Sequence, residues 1–339
     1  MNARGWWLIP AAVILAAVWA QSLAAPAPPA PAATDRVAVT ILHINDSHGH
    51  TEPYRLADRS VGGYARLATL VEGLRREGRA ARLFLVHAGD EFSRGDELTR
   101  STLGAANIAL MNHVGFDAWV PGNGDFYDGA ANLRTRMAEA RFPLLAANVK
   151  VASTGQHFGK PYIIEKAGPV RVAFVGLCLV KDGDAASGGL KVADPVKTAA
   201  ALVPELRKQA DVVVAVTHLG LPEDDQLAAT VPGLDLVIGG HTHSVLDRGR
   251  AAKGPDGRPV LIVQAGENMQ ALGRVDLLLD KAAEGYRIVS AAASLIPIDA
   301  TVKMDPAVTA LLARWAEKIA PPAPKAKPAA KPKAAAAAK

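Results

Sequence analysis

Short apolar runs alternate along the chain with stretches whose apolar residues recur at helical spacing, and this alternation predicts an α/β fold. Val37–Ile44 is β-rich and almost wholly apolar, the pattern of a strand covered on both faces. Tyr64, Leu67, Leu70, Val71 and Leu74 then mark one face of a helix over 63–76. Further strands are expected at 82–87, 118–121, 143–149, 212–217 and 234–238, with helices at 101–113, 130–140 and 225–229. Segments 162–165 and 171–180, separated by Ala167-Gly168-Pro169, read as a hairpin leading into a central strand. Asp194 as N-cap and Pro195 in the first turn open a helix running to 208. Beyond 259 the chain is strand-like until a last amphipathic helix over 305–319.

The two ends fall outside this alternation. Residues 1–25 read as a cleavable signal peptide: Arg4 in a short basic region, an apolar stretch from Trp6 to Ala20, and Ser22-Leu23-Ala24-Ala25 as a small-x-small site. The apolar stretch is short for a membrane span. A periplasmic or secreted protein is therefore expected, with a Pro/Ala linker over 26–34 and one domain over 35–320. Residues 321–339 contain only Ala, Pro and Lys and are expected to be a disordered tail.

Composition narrows the picture in two places. The formal charge of +5 is concentrated at the ends, because Arg4 and the five lysines of 321–339 have no acidic neighbours there. The body between is close to neutral, so no specific nucleic-acid binding is expected. The tail lysines are left with two readings, weak contact with an anionic envelope surface or simple solubilisation. The single cysteine, Cys178, lies in an apolar run and reads as a buried strand residue.

In open α/β sheets ligands bind beyond the carboxyl ends of strands, so the residues just past each strand carry the chemistry. These are Asn45-Asp46-Ser47-His48-Gly49-His50, Gly89-Asp90, Gly122-Asn123-Gly124-Asp125, Thr217-His218 and Gly239-Gly240-His241-Thr242-His243. Any one of them is ordinary, since Asp-x-His is often a cap and Gly-Asp a turn. Five exits carrying oxygen and nitrogen donors, and no thiol, read together as a metal site.

The ordered series Ile41-Leu42-His43-Ile44-Asn45-Asp46-Ser47-His48-Gly49-His50, Gly89-Asp90, Gly122-Asn123, His218 and Gly239-Gly240-His241-Thr242-His243 resembles the calcineurin-like metallophosphoesterase superfamily, in particular its secreted 5'-nucleotidase branch. The resemblance runs from about residue 38 to 318. It implies a sandwich of two mixed β-sheets flanked by helices, and a dinuclear site for two divalent metal ions (Mn, Zn or Fe). It also implies that Asp46, His48 and His243 hold one ion, that Asn123, His218 and His241 hold the second, and that Asp90 bridges them. The implied activity is hydrolysis of a small phosphorylated substrate, nucleotides included, by a metal-activated water.

Two departures qualify that expectation. Where the family has Gly-Asn-His-Glu-Phe-Asp, this chain has Gly122-Asn123-Gly124-Asp125-Phe126-Tyr127, so the family's transition-state histidine is absent at Gly124. A positioned acid is worth a factor on the order of 10² to 10⁴ in rate. His50 and Asp125 are the candidate catalytic residues that remain, His50 having a supporting contact as its plain alternative. A metal-binding, catalytically weakened envelope protein and a hydrolase of a non-phosphate ester are the competing expectations. The second departure is length: classical 5'-nucleotidases add a C-terminal domain that contacts the nucleoside, and this sequence stops at the helix leading into it. A more general phosphoesterase is expected.

Overall fold

The computed structural model describes residues 36–179 and 188–320. The expected signal peptide, linker and C-terminal tail lie outside these residues. Among the described residues, no helix is long and apolar enough to cross a membrane.

Two mixed sheets form the body. The first runs Tyr286–Pro297, Ala271–Lys281, Val37–Ile44, Arg82–His87 and Ala118–Trp119, in that spatial order. Val37–Ile44 sits at its centre, parallel to Arg82–His87 and antiparallel to Ala271–Lys281. That placement explains its apolar sequence, because both faces are covered. The second sheet runs Arg250–Lys253, Pro259–Val263, Leu236–Ile238, Val212–His218, Val170–Cys178 and Tyr162–Ala167. Val212–His218 is parallel to both of its neighbours and wholly buried.

The sheets pack face to face over one core, in which the Phe84 and Phe174 rings meet edge-on at 5.1 Å between centroids. Helices Tyr64–Glu77, Ala105–Val114 and Pro306–Ile319 pack together beside the first sheet, and Pro195–Arg207 and Leu221–Thr230 cover the second. The expected sandwich of two mixed sheets flanked by helices is the observed fold. Asp194 caps Pro195–Arg207 as expected, accepting from the Lys197 N–H.

The helix expected over 225–229 begins earlier, at Leu221, the strand expected over 118–121 is only Ala118–Trp119, and two expected elements are interrupted. The helix over 101–113 is broken into Glu97–Thr102 and Ala105–Val114, because Leu103 and Gly104 turn left-handed, with φ of 49° and 82°. Phe92 packs against Gly104 so closely that a Cβ there would lie 2.7 Å from its ring. The strand over 143–149 is reduced to isolated bridges at Leu144 and Leu145 before a short strand, Val149–Val151. Pro143 lacks the N–H a ladder needs.

A buried acid beside the second sheet makes stability depend on pH. Asp224 is fully buried, accepts from Thr217 Oγ1 at 2.6 Å and leaves Oδ2 without a partner. Burial pushes its pKa from 3.8 up to about 7. Between those values the folded protein keeps a proton that the unfolded chain releases, so this group lowers stability as pH rises and its effect is complete above about 7. Asp224→Asn is expected to flatten the profile and to exceed the wild type above pH 7 by up to about 4 kcal/mol. Urea denaturation across this range checks it; parallel curves for the two proteins would contradict it.

Candidate metal centre

The loops that leave the strands interlock at one edge. Asp46, His48 and Gly49 donate their N–H groups to the carbonyls of Gly89, Asp90 and Glu91 at 2.8, 2.9 and 2.7 Å. Glycines allow this approach: a Cβ at Gly89 would lie 2.4 Å from His218 Nδ1, and one at Gly240 would lie 2.5 Å from the Ala88 oxygen. Asp46, His48, Asp90, His241 and His243 all take left-handed backbone conformations, with φ between 47° and 76°. Non-glycine residues pay about 1–3 kcal/mol for that conformation, and such strain concentrates at functional sites.

Side chains from both sheets converge on Asp46. Its Oδ1 lies 3.3 Å from His243 Nε2 and 3.9 Å from the Nε2 atoms of His48 and His218. Asp90 spans the cluster, with Oδ1 3.4 Å from His218 Nε2 and Oδ2 3.9 Å from His48 Nδ1. Two groups result, Asp46 with His48 and His243, and Asp46 with Asp90 and His218. The resemblance implies Asp90 as the shared ligand, whereas here Asp46 is common to both groups.

The outer nitrogens of the imidazoles are occupied, which turns the inner ones toward the centre. His218 Nδ1 donates to the Ala88 carbonyl at 2.7 Å, His243 Nδ1 meets Glu267 Oε2 at 2.9 Å, and His48 Nδ1 meets Ser93 Oγ at 2.7 Å. This arrangement of supporting acceptors is the one that fixes the tautomer of metal-binding histidines. The Nε2 atoms of His48 and His243 face each other at 3.0 Å. Buried His218 Nε2 and Asn123 Oδ1 have no hydrogen-bond partner. Lone pairs that face one another or face nothing fit a cation among them.

The electrostatics agree. Burial alone would raise the Asp46 pKa, but His243 and His218 hold it below the usual carboxylate value. Burial lowers that of His48, and contact with Asp46 raises that of His243. Ionised Asp46 beside His48, whose burial favours the neutral imidazole, is the donor pair that zinc, manganese and iron accept, whereas His243 must give up the proton its contact with Asp46 favours before it can ligate.

The other expected residues are placed as follows. His241 donates its N–H to Asp46 Oδ2 at 2.9 Å and sets its ring edge-on to His218, 5.3 Å between centroids. Asn123 donates through Nδ2 to the Tyr127 hydroxyl at 3.1 Å, which leaves Oδ1 inward. His50 stacks on Tyr54 at 4.3 Å and belongs to neither ligand group. Asp125 is buried, and its carboxylate accepts the N–H groups of Gly122, Asp90, Glu91 and Phe92 at 2.8–3.0 Å.

Sequence reasoning missed Ser93, Glu267 and a buried network under the loops. In that network Ser47 Oγ donates to Glu91, lies 2.9 Å from His87 Nε2, and Asn107 Nδ2 donates to Glu91 Oε1 at 2.7 Å. Glu267 follows the strand Pro259–Val263, so the same strand-exit rule would have collected it. Gly124 donates to Asp90 Oδ1 at 2.7 Å, and a Cβ on it would lie 2.4 Å from Ser93 Cβ.

Fold and side chains together form a candidate metal centre at the strand ends. The model of the calcineurin-like phosphoesterase family matches residues 39–245, and the chain belongs to that family. It is 30% identical over 272 residues to a probable 5'-nucleotidase of Treponema pallidum, covering 72% of this chain and 45% of that protein. It is also 30% identical over 310 residues to the human 5'-nucleotidase, covering 83% of this chain and 53% of that one. The chain thus spans about half the length of these curated relatives. Among solved structures, the 5'-nucleotidase precursor of Thermus thermophilus superposes with a TM-score of 0.74 at 27% identity, over 83% of this chain and 59% of that one.

Proposed function

We propose that this protein is an exported, dinuclear-metal-dependent hydrolase of small phosphate esters. The observation that carries the reading is the convergence of Asp46, Asp90, His48, His218 and His243, with His218 Nε2 unpartnered and the Nε2 atoms of His48 and His243 facing each other. Asp46, His48 and His243 would hold one ion, Asn123, His218 and His241 the other, and Asp90, facing both groups, would bridge. Bound there, two divalent ions supply polarisation of the phosphoryl group and a water acidic enough to act as hydroxide near neutral pH. The protein's own part is to hold the donors: Ala88, Glu267 and Ser93 fix the imidazoles, and Asp125 fixes the loop that carries Asp90. The relatives' names and the sequence similarity support phosphate esters, nucleotides among them, as substrates. The leader-like residues 1–25 support export to the periplasm or beyond.

One observation favours a second reading, a metal-binding protein with little turnover. Ser93 fills the space of a side chain at 124, so no proton donor stands at that position. Metal analysis of the purified protein together with aryl phosphate monoesters, diesters and AMP, with and without manganese and chelator, separates the two. Hydrolysis that falls at least about tenfold on chelation and returns with metal is expected. Bound metal without turnover on any substrate would favour the second reading.

A further inference from the structure

We propose that Tyr127 is a positioning residue for the metal centre: its hydroxyl takes one arm of the Asn123 amide and so turns the other, Oδ1, toward the ion beside Asp90 and His218. The proposal rests on the dinuclear reading above. It begins with the turn that carries both residues. Phe126 and Tyr127 donate their N–H groups to the carbonyls of Asn123 and Gly124 at 3.3 and 3.1 Å, closing a short 3₁₀ turn over Gly124–Phe126. Asn123 and Tyr127 both keep helical dihedrals, with φ of −62° and −61°, so these side chains four residues apart share one face.

The turn is fixed on its other sides. The Phe126 ring is fully buried and packs on Phe158, 5.8 Å between centroids. The Asp125 carboxylate accepts the Gly122 N–H at 2.8 Å, and the Gly124 N–H donates to Asp90 Oδ1 at 2.7 Å. A Cβ at Gly122 would lie 2.1 Å from that same oxygen, so the backbone on both sides of Asn123 rests on Asp90. Asp90 Oδ1 in turn lies 3.4 Å from His218 Nε2. Asn123 is thereby seated at the group formed by Asp46, Asp90 and His218.

Shape does not decide which arm of an asparagine amide faces inward, because the oxygen and NH₂ arms are nearly isosteric. Chemistry decides it. A cation needs the oxygen, and the NH₂ arm then needs an acceptor behind it. Asn123 is 8% exposed, which leaves little room for water in that task, and the Tyr127 hydroxyl fills it at 3.1 Å from Nδ2. Oδ1 is left buried with no hydrogen-bond partner, as suits a ligand atom. The amide N–H becomes a stronger donor when Oδ1 binds a cation, so the bond to Tyr127 tightens in the loaded state. The hydroxyl therefore contributes to ion affinity, whereas the Tyr127 side chain, in a residue 54% exposed, contributes little to packing.

The test uses the full-length protein, stripped of metal with chelator and titrated with Mn²⁺, the free ion being followed by electron paramagnetic resonance. Tyr127→Phe, Asn123→Asp and the double variant are compared with the wild type. The wild type is expected to take up two ions. Tyr127→Phe is expected to bind one of them at least about tenfold more weakly, with the other ion and the denaturation midpoint of the metal-free protein unchanged. Its kcat on nitrophenyl phosphate is expected to fall at limiting Mn²⁺ and to return at excess, a recovery that a purely structural role would not produce. With aspartate at 123 both arms are oxygen, so adding Tyr127→Phe is expected to change ion affinity less than about twofold. Two ions bound with unchanged affinity in Tyr127→Phe would overturn the role of Tyr127 alone, and so would an equal loss in the asparagine and aspartate backgrounds. A wild type that holds a single ion, with Asn123→Ala titrating as it does, would defeat the dinuclear reading and the role of Tyr127 with it.

Discussion

Asp46→Asn is expected to lower hydrolysis by a factor on the order of 10³ and to release bound metal while leaving the fold intact. Asp46 Oδ2 accepts from Asn45 Nδ2 at 2.7 Å and from the His241 N–H at 2.9 Å, whereas Oδ1 faces the three imidazoles. An asparagine whose carbonyl oxygen takes the Oδ2 position keeps both hydrogen bonds. Its amide nitrogen then points at the Nε2 atoms of His48, His218 and His243, where it donates a hydrogen bond instead of binding a cation. Loop geometry survives, and the negative charge at the heart of both ligand groups is gone. Loss of about 4 kcal/mol of transition-state stabilisation corresponds to the expected factor. Metal content, kcat and the denaturation midpoint of the variant check the three parts separately. Full metal content with kcat within tenfold of the wild type would remove Asp46 from the centre.

The contrast between what the sequence displays and what it hides has a physical basis. Val37–Ile44 and Arg82–His87 were legible to the residue, because strands buried on both faces must be continuously apolar. The convergence of Asp46, His48, Asp90, His218 and His243 was legible for a related reason: parallel strands end at one edge, so polar residues just past them are brought together there. The break at Leu103 was not, because a leucine adopts φ 49° only when the surrounding packing compels it. Ser93 was equally hidden. Its meaning comes from two neighbours distant in sequence, His48 45 residues before it and Gly124 beyond it, and neither spacing carries a signal. The missing histidine was visible at Gly124, but only the structure shows that the space it would need is filled.

That interlocking makes Asp125 the residue whose loss is expected to cost most in stability. Its carboxylate is buried and accepts four backbone N–H groups, from Gly122, Asp90, Glu91 and Phe92. Burial and the nearby Asp90 carboxylate push its pKa well up, against the pull of the Gly122 and Phe92 N–H groups. Asp125→Ala leaves all four donors buried without acceptors, at about 1–3 kcal/mol each. A total on the order of 6 kcal/mol is comparable with the whole stability of a typical domain, about 5–15 kcal/mol. Asp125→Asn keeps one acceptor oxygen and turns an amide donor toward the remaining N–H groups, so a smaller but still large loss is expected. Denaturation of both variants, with hydrogen exchange at Asp90, Glu91 and Phe92, checks the expectation. The same experiment separates two roles for this residue. A proton donor can be removed with its fold intact and its kcat reduced, whereas the clamp described here loses stability first, and loses metal affinity with it because the same loop carries Asp90. If Asp125→Ala folds within about 1 kcal/mol of the wild type and only kcat falls, Asp125 is the acid and not the clamp.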